Sequence, residues 1–175
     1  MLRHVLRTYN KKGPRRWDTI YWAVDIHDTC IVANYNGNEV PKEFFPMAKE
    51  TLFRLSERKD TKLILYTCSY PEEIAQYVSF FKDHQIHFDY ANENPEAGNT
   101  AYGFFEHKPY FQILLEDKAG FEPNTDFYEI SLALDIIEAA ESGKSTLGLN
   151  EILADKRFSF NQVDYDDVRA WLGLP

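Results

Sequence analysis

Short apolar segments alternate with helical patterns along this sequence, and this alternation restricts the fold more than any other feature. The apolar segments are rich in strand-forming residues and lie at 20–24, 62–66, 86–90 and 110–115. The helical patterns carry apolar residues on one face and lie at 46–59, about 71–85 and 125–142. Strands that alternate with helices pair in parallel, because each helix returns the chain to the start of the next strand. The sequence therefore predicts an α/β fold built on a parallel sheet.

Polar side chains stand directly after three of the predicted strands. Asp25 follows the first strand, Thr67 the second, and Glu116 with Asp117 the fourth. In parallel sheets, ligands bind at the carboxyl ends of the strands. Acidic and hydroxyl groups gathered at such an edge suit a metal ion and a phosphate. We therefore expect the functional site at this edge of the sheet.

Basic residues are concentrated at the start of the chain, although the net charge is −9. Six of them precede the first acidic residue, Asp18: Arg3, Arg7, Lys11, Lys12, Arg15 and Arg16. We therefore expect a basic N-terminal arm, residues 1–19, and a single domain, residues 20–175, since a chain of 175 residues is short for two domains. The acidic body disfavours broad binding of nucleic acid. The arm is either solvated or able to contact a polyanion or an acidic partner.

The sequence carries no signal for membrane insertion or secretion. No apolar run approaches the roughly 18 residues of a membrane-spanning helix, and the first residues lack the apolar core of a secretion signal. Cys30 and Cys68 lie in apolar segments and are predicted to be buried free thiols, which suits a reducing compartment. We therefore expect a cytoplasmic protein without a membrane segment. Asn36-Gly37 predicts a tight hairpin turn.

Four pieces of the sequence follow the motif order of one enzyme superfamily. They are V-D-I-H-D-T-C-I at 24–31, L-I-L-Y-T at 63–67, Lys108 within H-K-P-Y, and L-L-E-D at 114–117. Together they resemble the haloacid dehalogenase (HAD) superfamily, whose first motif reads D-x-D-x-T. The resemblance implies a three-layer, Rossmann-like parallel sheet of HAD-like type. It also implies a small cap or none, because neither gap between the motifs has room for a cap domain.

The resemblance implies a Mg²⁺ site made of oxygen ligands. Asp25, the main-chain carbonyl of His27 and Asp117 are the expected direct ligands, and Glu116 is expected to bind through a water molecule. Mg²⁺ prefers oxygen ligands and keeps several waters. The expected cofactor is therefore Mg²⁺.

The resemblance further implies a phosphatase, a hydrolase that works through an aspartyl-phosphate. Asp25 is the expected nucleophile, because a carboxylate that attacks phosphorus divides the reaction into two easier steps. Thr67 is expected to donate a hydrogen bond to a phosphoryl oxygen, and Lys108 to neutralise negative charge. Each residue has a structural alternative: Asp25 and Asp117 as turn or cap residues, Thr67 as a helix cap, and Lys108 as a solvated surface residue.

The chain departs from the superfamily pattern at His27, where a second aspartate usually serves as general acid and base. Imidazole can do this work, since its unperturbed pKa lies at roughly 6.5. Either His27 supports turnover, or the protein is a weak or inactive member that binds phosphate or a partner. Asp28, one residue further on, is a less favourable substitute acid, because an extended turn would point its side chain elsewhere.

A minimally capped site admits several substrates. By the resemblance, a nucleotide or a nucleic-acid end is the expected substrate, and a phosphorylated small molecule or a protein phosphate is the alternative. Homo-oligomerisation is a further way to complete such a site, and transfer to an acceptor other than water is not distinguished from hydrolysis. The candidates to line the entrance are Tyr35, Tyr90, Asn92, Asn94 and Tyr102.

Overall fold

The computed structural model of the chain describes residues 1–34, 40–145 and 147–155. The chain divides into two compact units, one of Asp18–Phe127 and the other of Met1–Trp17 with Tyr128–Pro175. The predicted hairpin turn at Asn36-Gly37 lies outside the described residues, as does Tyr35. All the predicted site residues belong to the unit Asp18–Phe127, which is described first.

The unit Asp18–Phe127 is built on a four-stranded sheet in which every pairing is parallel. The strands lie in the order β3-β2-β1-β4 and are β1 (Ile20–Val24), β2 (Thr61–Leu65), β3 (Tyr90–Ala91) and β4 (Ile113–Leu115). Four of the five residues of β1 and of β2 are buried. Burial on both faces explains why these strands read as continuous apolar runs rather than as alternating patterns.

Two helices connect the strands, α3 (Ala48–Glu57) between β1 and β2 and α4 (Pro71–Asp83) between β2 and β3. The buried residues of α3 have helical spacing: Ala48, Thr51, Leu52 and Leu55. Pro71 starts α4, where its missing N–H would have no partner in any case. The Glu73 carboxylate accepts a hydrogen bond from the backbone N–H of Tyr70 at 3.0 Å, which satisfies a donor before the first turn.

A short 3-10 helix, Asp117–Ala119, follows β4 directly. Gly120 ends it with φ +91°, a left-handed conformation that glycine adopts without steric strain. Helix α5 (Pro123–Glu141) comes next, and the boundary between the two compact units falls within it, after Phe127. The 3-10 turn therefore begins within the predicted acidic pair, with Glu116 before it and Asp117 as its first residue.

The other unit contains α1 (Leu2–Asn10), α2 (Lys12–Arg15) and α6 (Leu149–Ala154). Leu2, Val5 and Leu6 of α1 are buried, so the start of the basic arm is an amphipathic helix rather than a solvated leader. The carboxylate of Glu129 accepts a hydrogen bond from the backbone N–H of Leu2 at 2.8 Å and caps the first turn of α1.

The predicted fold class is confirmed: the protein is α/β, with a Rossmann-like, all-parallel sheet flanked by helices. The third strand is shorter than the predicted segment 86–90, since its pairing with β2 begins only at Tyr90. Ile86 and Phe88 are buried, which explains their apolar pattern, but they do not pair with β2. The fourth strand begins at Ile113 rather than at 110. Between β3 and β4, the described residues form no helix and no strand of the sheet, which agrees with the prediction of a small cap or none.

The two cysteines differ in exposure. Cys30 is buried, and its thiol donates to the carbonyl oxygen of Asp25 at 3.2 Å. The prediction that Cys68 is buried was wrong, because Cys68 follows the end of β2 and lies in the exposed turn that precedes α4. In the part of the chain that the structure describes, no helix is long and apolar enough to cross a membrane.

Candidate functional site

The ends of β1, β2 and β4 bring the predicted site residues to one edge of the sheet. Val24 lies opposite Leu65 of β2 and Leu115 of β4. The backbone N–H of Asp25 donates to the carbonyl oxygen of Leu115 at 2.9 Å. Asp25 and Glu116 therefore leave adjacent strands at the same level, as the sequence predicted for this edge.

Three carboxylates meet at this edge, from Asp25, Glu116 and Asp117. One oxygen from each lies within 4.8 Å of the others. Mg²⁺ binds oxygens at about 2.1 Å, so ligands at right angles lie about 3.0 Å apart and ligands on opposite sides about 4.2 Å apart. Carboxylates gathered within 4.8 Å can share one ion when one of them, as expected for Glu116, binds through a water. Three carboxylates are also the hard donor set that Mg²⁺ and similar cations prefer, so these residues fit the predicted metal.

Thr29 joins the two acidic segments, and sequence reasoning assigned it no role. Its buried hydroxyl oxygen accepts a hydrogen bond from the backbone N–H of Asp117 at 3.0 Å. The same hydroxyl donates weakly to Oδ2 of Asp25, at 3.5 Å. Thr29 thus fixes the spacing between the end of β1 and the end of β4. Its position four residues after Asp25, the last place of D-x-D-x-T, was the available signal.

The loop after β1 is closed by its own backbone. The carbonyl oxygen of Ile26 accepts hydrogen bonds from the N–H groups of Cys30 and Ile31, at 3.0 and 2.9 Å. Asp28 has a left-handed backbone, with φ 54°, and its carboxylate accepts a hydrogen bond from the N–H of Ala33 at 3.3 Å. The Asp28 side chain therefore stabilises the loop. The structure gives no support for its role as a substitute acid.

Burial and mutual repulsion shape the charges of the three acids. Burial is the main cause that raises the pKa of Asp25 above its usual value. Burial, followed by the negative charge of Asp25, also raises the pKa of Glu116. Burial raises the pKa of Asp117 as well, but hydrogen bonds from Lys118 and Glu116, together with the positive charge of Lys118, lower it further than burial raises it. A cation bound here would therefore favour the ionised forms of Asp25 and Glu116, which the fold alone disfavours.

Lys118 is the basic residue that the structure brings to the acids. Its ammonium group donates to Oδ1 of Asp117 at 3.0 Å and lies 3.9 Å from Oε1 of Glu116. Lys108 was the predicted charge partner, yet it is exposed and, within the described part of the chain, makes no hydrogen bond or ion pair. Its predicted role stays a prediction. The position of Lys118 directly after the acidic pair was the missed signal.

The ring of His27 is held by a buried tyrosine of α4. Nε2 of His27 and the hydroxyl oxygen of Tyr77 are 2.7 Å apart and share a hydrogen bond. The two rings meet edge to face, with centroids 5.4 Å apart. Tyr77 is 1% exposed, so this partner is part of the packed interior. His27 is thus oriented by the fold, and helical spacing alone gave no reason to single out Tyr77.

Thr67 occupies the turn between β2 and α4. Its hydroxyl accepts a hydrogen bond from the N–H of Ser69 and donates to Oγ of Ser69, both at 3.2 Å. The side chain of Asn92 accepts from the N–H of Thr67 at 2.8 Å and donates to its carbonyl oxygen at 2.7 Å. The structure thus gives the Thr67 hydroxyl a partner within the turn, and its predicted contact with a phosphate stays a prediction.

Comparisons with known proteins leave the family open. No protein-family model matches the chain, and no curated protein matches it. Among solved structures, the chain is similar to a conserved protein from Bacteroides thetaiotaomicron, with 20% sequence identity and a TM-score of 0.49. The match covers 78% of this chain and 99% of that protein. Nothing about function follows from a likeness of this size, so the resemblance to the HAD superfamily depends on the motifs alone.

We predict that Mg²⁺ stabilises the protein through Asp117. A ligand that binds only the folded state, at 100 times its dissociation constant, adds about 2.7 kcal/mol to the free energy of unfolding. Thermal and urea unfolding with and without Mg²⁺ measure this difference. Asp117→Asn should lose most of it, whereas Asp83→Asn, at an exposed position at the end of α4, should keep it. Equal stabilisation of both variants would place the ion elsewhere.

We also predict that Asp25→Asn makes the protein more stable when EDTA removes metal ions. Because burial raises the pKa of Asp25 in the folded state, its ionised form destabilises the fold at neutral pH. The favourable contribution of protonated Asp25 is complete only below its unfolded pKa and is lost as pH rises through the folded value. The variant's advantage in urea unfolding should therefore be present at pH 7 and shrink on acidification. A less stable variant at pH 7 would contradict this account.

Proposed function

We propose that this protein is a Mg²⁺-dependent phosphomonoesterase of HAD type that works through an aspartyl-phosphate on Asp25. The observation that carries the proposal is the convergence of Asp25, Glu116 and Asp117 at the carboxyl edge of the parallel sheet. This placement supports the roles that the motif resemblance implies for these residues. The partners expected from it are phosphorylated small molecules, with a macromolecular phosphate end as the broader class.

Asp25 acts as the nucleophile in the first step. One of its carboxylate oxygens forms a bond to phosphorus while the bond from phosphorus to the ester oxygen breaks, and the leaving alkoxide takes a proton from water to become the alcohol. The hydrogen bond from the Asp25 N–H to Leu115 holds its backbone still. Because Asp25 is 8% exposed, little water surrounds the attacking oxygen.

Water completes the reaction in the second step. Its oxygen bonds to phosphorus, the bond between phosphorus and Asp25 breaks, and the carboxylate is regenerated with inorganic phosphate as the product. A base must accept the proton of the attacking water, and we assign this role to His27. The hydrogen bond to Tyr77 orients the ring, as a general base requires.

The same edge would repel a phosphate dianion if the acids were alone. Asp25, Asp117 and the main-chain carbonyl of His27, with Glu116 through a water, would hold Mg²⁺, which supplies the positive charge that lets a phosphate approach Asp25. Lys118 neutralises part of the negative charge through its contacts with Glu116 and Asp117. Lys108, in the loop between β3 and β4, and Thr67 remain the proposed contacts to the phosphoryl oxygens.

The acidic character of the molecule favours a small substrate over a long polyanion. A cytoplasmic location fits the free thiols of Cys30 and Cys68, of which Cys68 is exposed. Homo-oligomerisation is a further proposed way to cover this edge of the sheet.

A second candidate function is the binding of phosphate or a phosphorylated partner without turnover. The observation that favours it is Lys118, whose ammonium group lies at hydrogen-bonding distance from the acid that we assign to the metal. An ammonium group in this place neutralises the acids without activating a phosphate. His27, in place of the usual second aspartate, points in the same direction.

The proposal predicts hydrolysis of 4-nitrophenyl phosphate that requires both Mg²⁺ and Asp25. Asp25→Asn removes the nucleophile and should reduce the release of 4-nitrophenol to background. The exposed residue Asp83 provides the matched control, and Asp83→Asn should retain the wild-type rate. Absence of activity in folded wild-type protein that binds Mg²⁺ would favour the binding function instead.

The second step predicts a trapped intermediate in His27→Ala. Loss of a general base typically lowers turnover by about 10²- to 10⁴-fold, and the aspartyl-phosphate should accumulate because its formation does not need this base. Acid quenching followed by hydroxylamine, which reacts with acyl phosphates, detects it. His27→Asp restores the usual carboxylate and should recover activity. Unchanged turnover in His27→Ala would remove His27 from the mechanism.

A further inference from the structure

An open pocket of about 330 Å³ lies in the loop between β3 and β4. Its wall is formed by residues between Asn92 and Pro109, all within the unit Asp18–Phe127. The volume is near the lower end of the range for small-molecule sites, which begins at about 300 Å³. Two of its lining residues, Asn92 and Asn94, are among the residues predicted to line the entrance of the site, and none of the catalytic or metal roles assigned above uses the pocket.

Asn92 connects the pocket to the phosphate edge of the sheet. It lines the pocket, and its side-chain amide makes the two hydrogen bonds to the backbone of Thr67. Asn92 follows β3, and Asp25 follows β1, two strands away in the order β3-β2-β1-β4. Neighbouring strands are about 4.8 Å apart, so the two residues lie roughly 10 Å apart along the edge. One end of the pocket therefore lies within reach of a small molecule whose phosphate is held at Asp25.

The pocket is formed before any ligand binds. Asn94 is 8% exposed, and its amide nitrogen donates to the carbonyl oxygen of Tyr110 at 2.7 Å. Two tyrosine hydroxyls donate to the carboxylate of Glu96, from Tyr90 at 2.6 Å and from Tyr21 at 2.7 Å. These bonds attach the loop to the sheet. A ligand would therefore not have to order the loop, which is a common cost of binding.

The three asparagines that line the pocket already bond to protein groups: Asn92 to Thr67, Asn94 to Tyr110, and Asn99 to Glu106 at 2.8 Å and to the N–H of Phe105 at 2.6 Å. The bond from Asn99 engages Oε1 of Glu106, and its other carboxylate oxygen and the carboxylate of Glu93 are the acceptors that we assign to a ligand. Glu93 and Glu106 line the pocket without an ion pair in the described part of the chain. Among the described lining residues, none carries a positive charge. Such a lining repels a second phosphate or a carboxylate and attracts groups that donate hydrogen bonds.

We infer that this pocket binds the leaving group of the substrate, and that this group bears an amine or several hydroxyls and no second anionic group. The inference depends on the proposed function for the position of the phosphate. It narrows the substrate to a small phosphomonoester of an amino or polyhydroxy alcohol. Nucleoside di- and triphosphates and polynucleotide ends are disfavoured, because their further phosphates would face Glu93 and Glu106.

Three hexose-derived phosphates test the inference, since they share a 6-phosphate and differ in charge at the far end. They are glucosamine 6-phosphate, glucose 6-phosphate and 6-phosphogluconate. Calorimetry at pH 7 with Mg²⁺ measures their dissociation constants for Asp25→Asn, which does not consume them. We expect affinity to fall in that order, with about a tenfold difference between the first and the last, because interactions with two exposed carboxylates each contribute a severalfold effect.

The carboxylates are tested by Glu93→Gln with Glu106→Gln in the same background. This pair of changes should bring the ratio of the first to the last dissociation constant close to one. The matched control is Glu57→Gln, at an exposed position at the end of α3, which should leave the ratio unchanged. Thermal melting of each variant checks that it is folded, and the use of a ratio removes any common loss of affinity.

The outcomes separate this inference from the proposed function. Equal affinities, tighter binding of 6-phosphogluconate, or no binding of any of the three would overturn the pocket inference, even if wild-type protein hydrolyses 4-nitrophenyl phosphate. A charge order that disappears in the glutamine variant would support it. If that order is found while wild-type protein hydrolyses no phosphate ester, the pocket inference stands as a binding property and the phosphatase proposal fails.

Discussion

The hydrogen bond from the Asp25 N–H to the carbonyl oxygen of Leu115 is the contact on which the site depends. It extends the pairing of β1 with β4 by one residue and places two acidic segments side by side. The sheet brings the other strand ends to the same place, since parallel strands present all their carboxyl ends at one edge. Thr29 then ties the two segments at the level of the side chains. The site is therefore built by the sheet and by one buried hydroxyl.

The acidic cluster carries a cost in stability. Burial and mutual repulsion make ionised Asp25 and ionised Glu116 unfavourable in the folded chain, as their raised pKa values indicate. A chain selected only for stability would not place three carboxylates together. Lys118 relieves part of the repulsion, but its side chain is 76% exposed, so solvent weakens its effect. This imbalance is what a cation or a bound ligand would relieve.

The loop between β3 and β4 is held to its own sheet by side-chain hydrogen bonds. Glu96 attaches it to two tyrosines and Asn94 attaches it to Tyr110. Asn92 brings the same loop into contact with Thr67 at the predicted phosphate edge. The loop thus shapes a pocket through its own contacts, and in our proposal the carboxylates that line it select ligands by charge.

The sequence by itself determined the class of the fold, the order of its central elements and the location of the acidic site. Apolar runs and helical spacing are local properties, so β1, β2, α3 and α4 were readable within a few residues, as was the placement of Asp25 and the acidic pair after strand ends. The position of the acids does not by itself establish what chemistry they perform. The roles of Lys108, Thr67 and His27 therefore stay predictions.

Only the tertiary structure decided which side chains meet. It brought Lys118 to the acids, Thr29 between them, Tyr77 to His27 and Asn92 to Thr67, and it showed that Cys68 is exposed. These contacts join residues from separate loops or elements, or depend on how a turn directs a side chain. Local sequence patterns do not predict such contacts, because the sheet brings the strand ends together only when the chain folds.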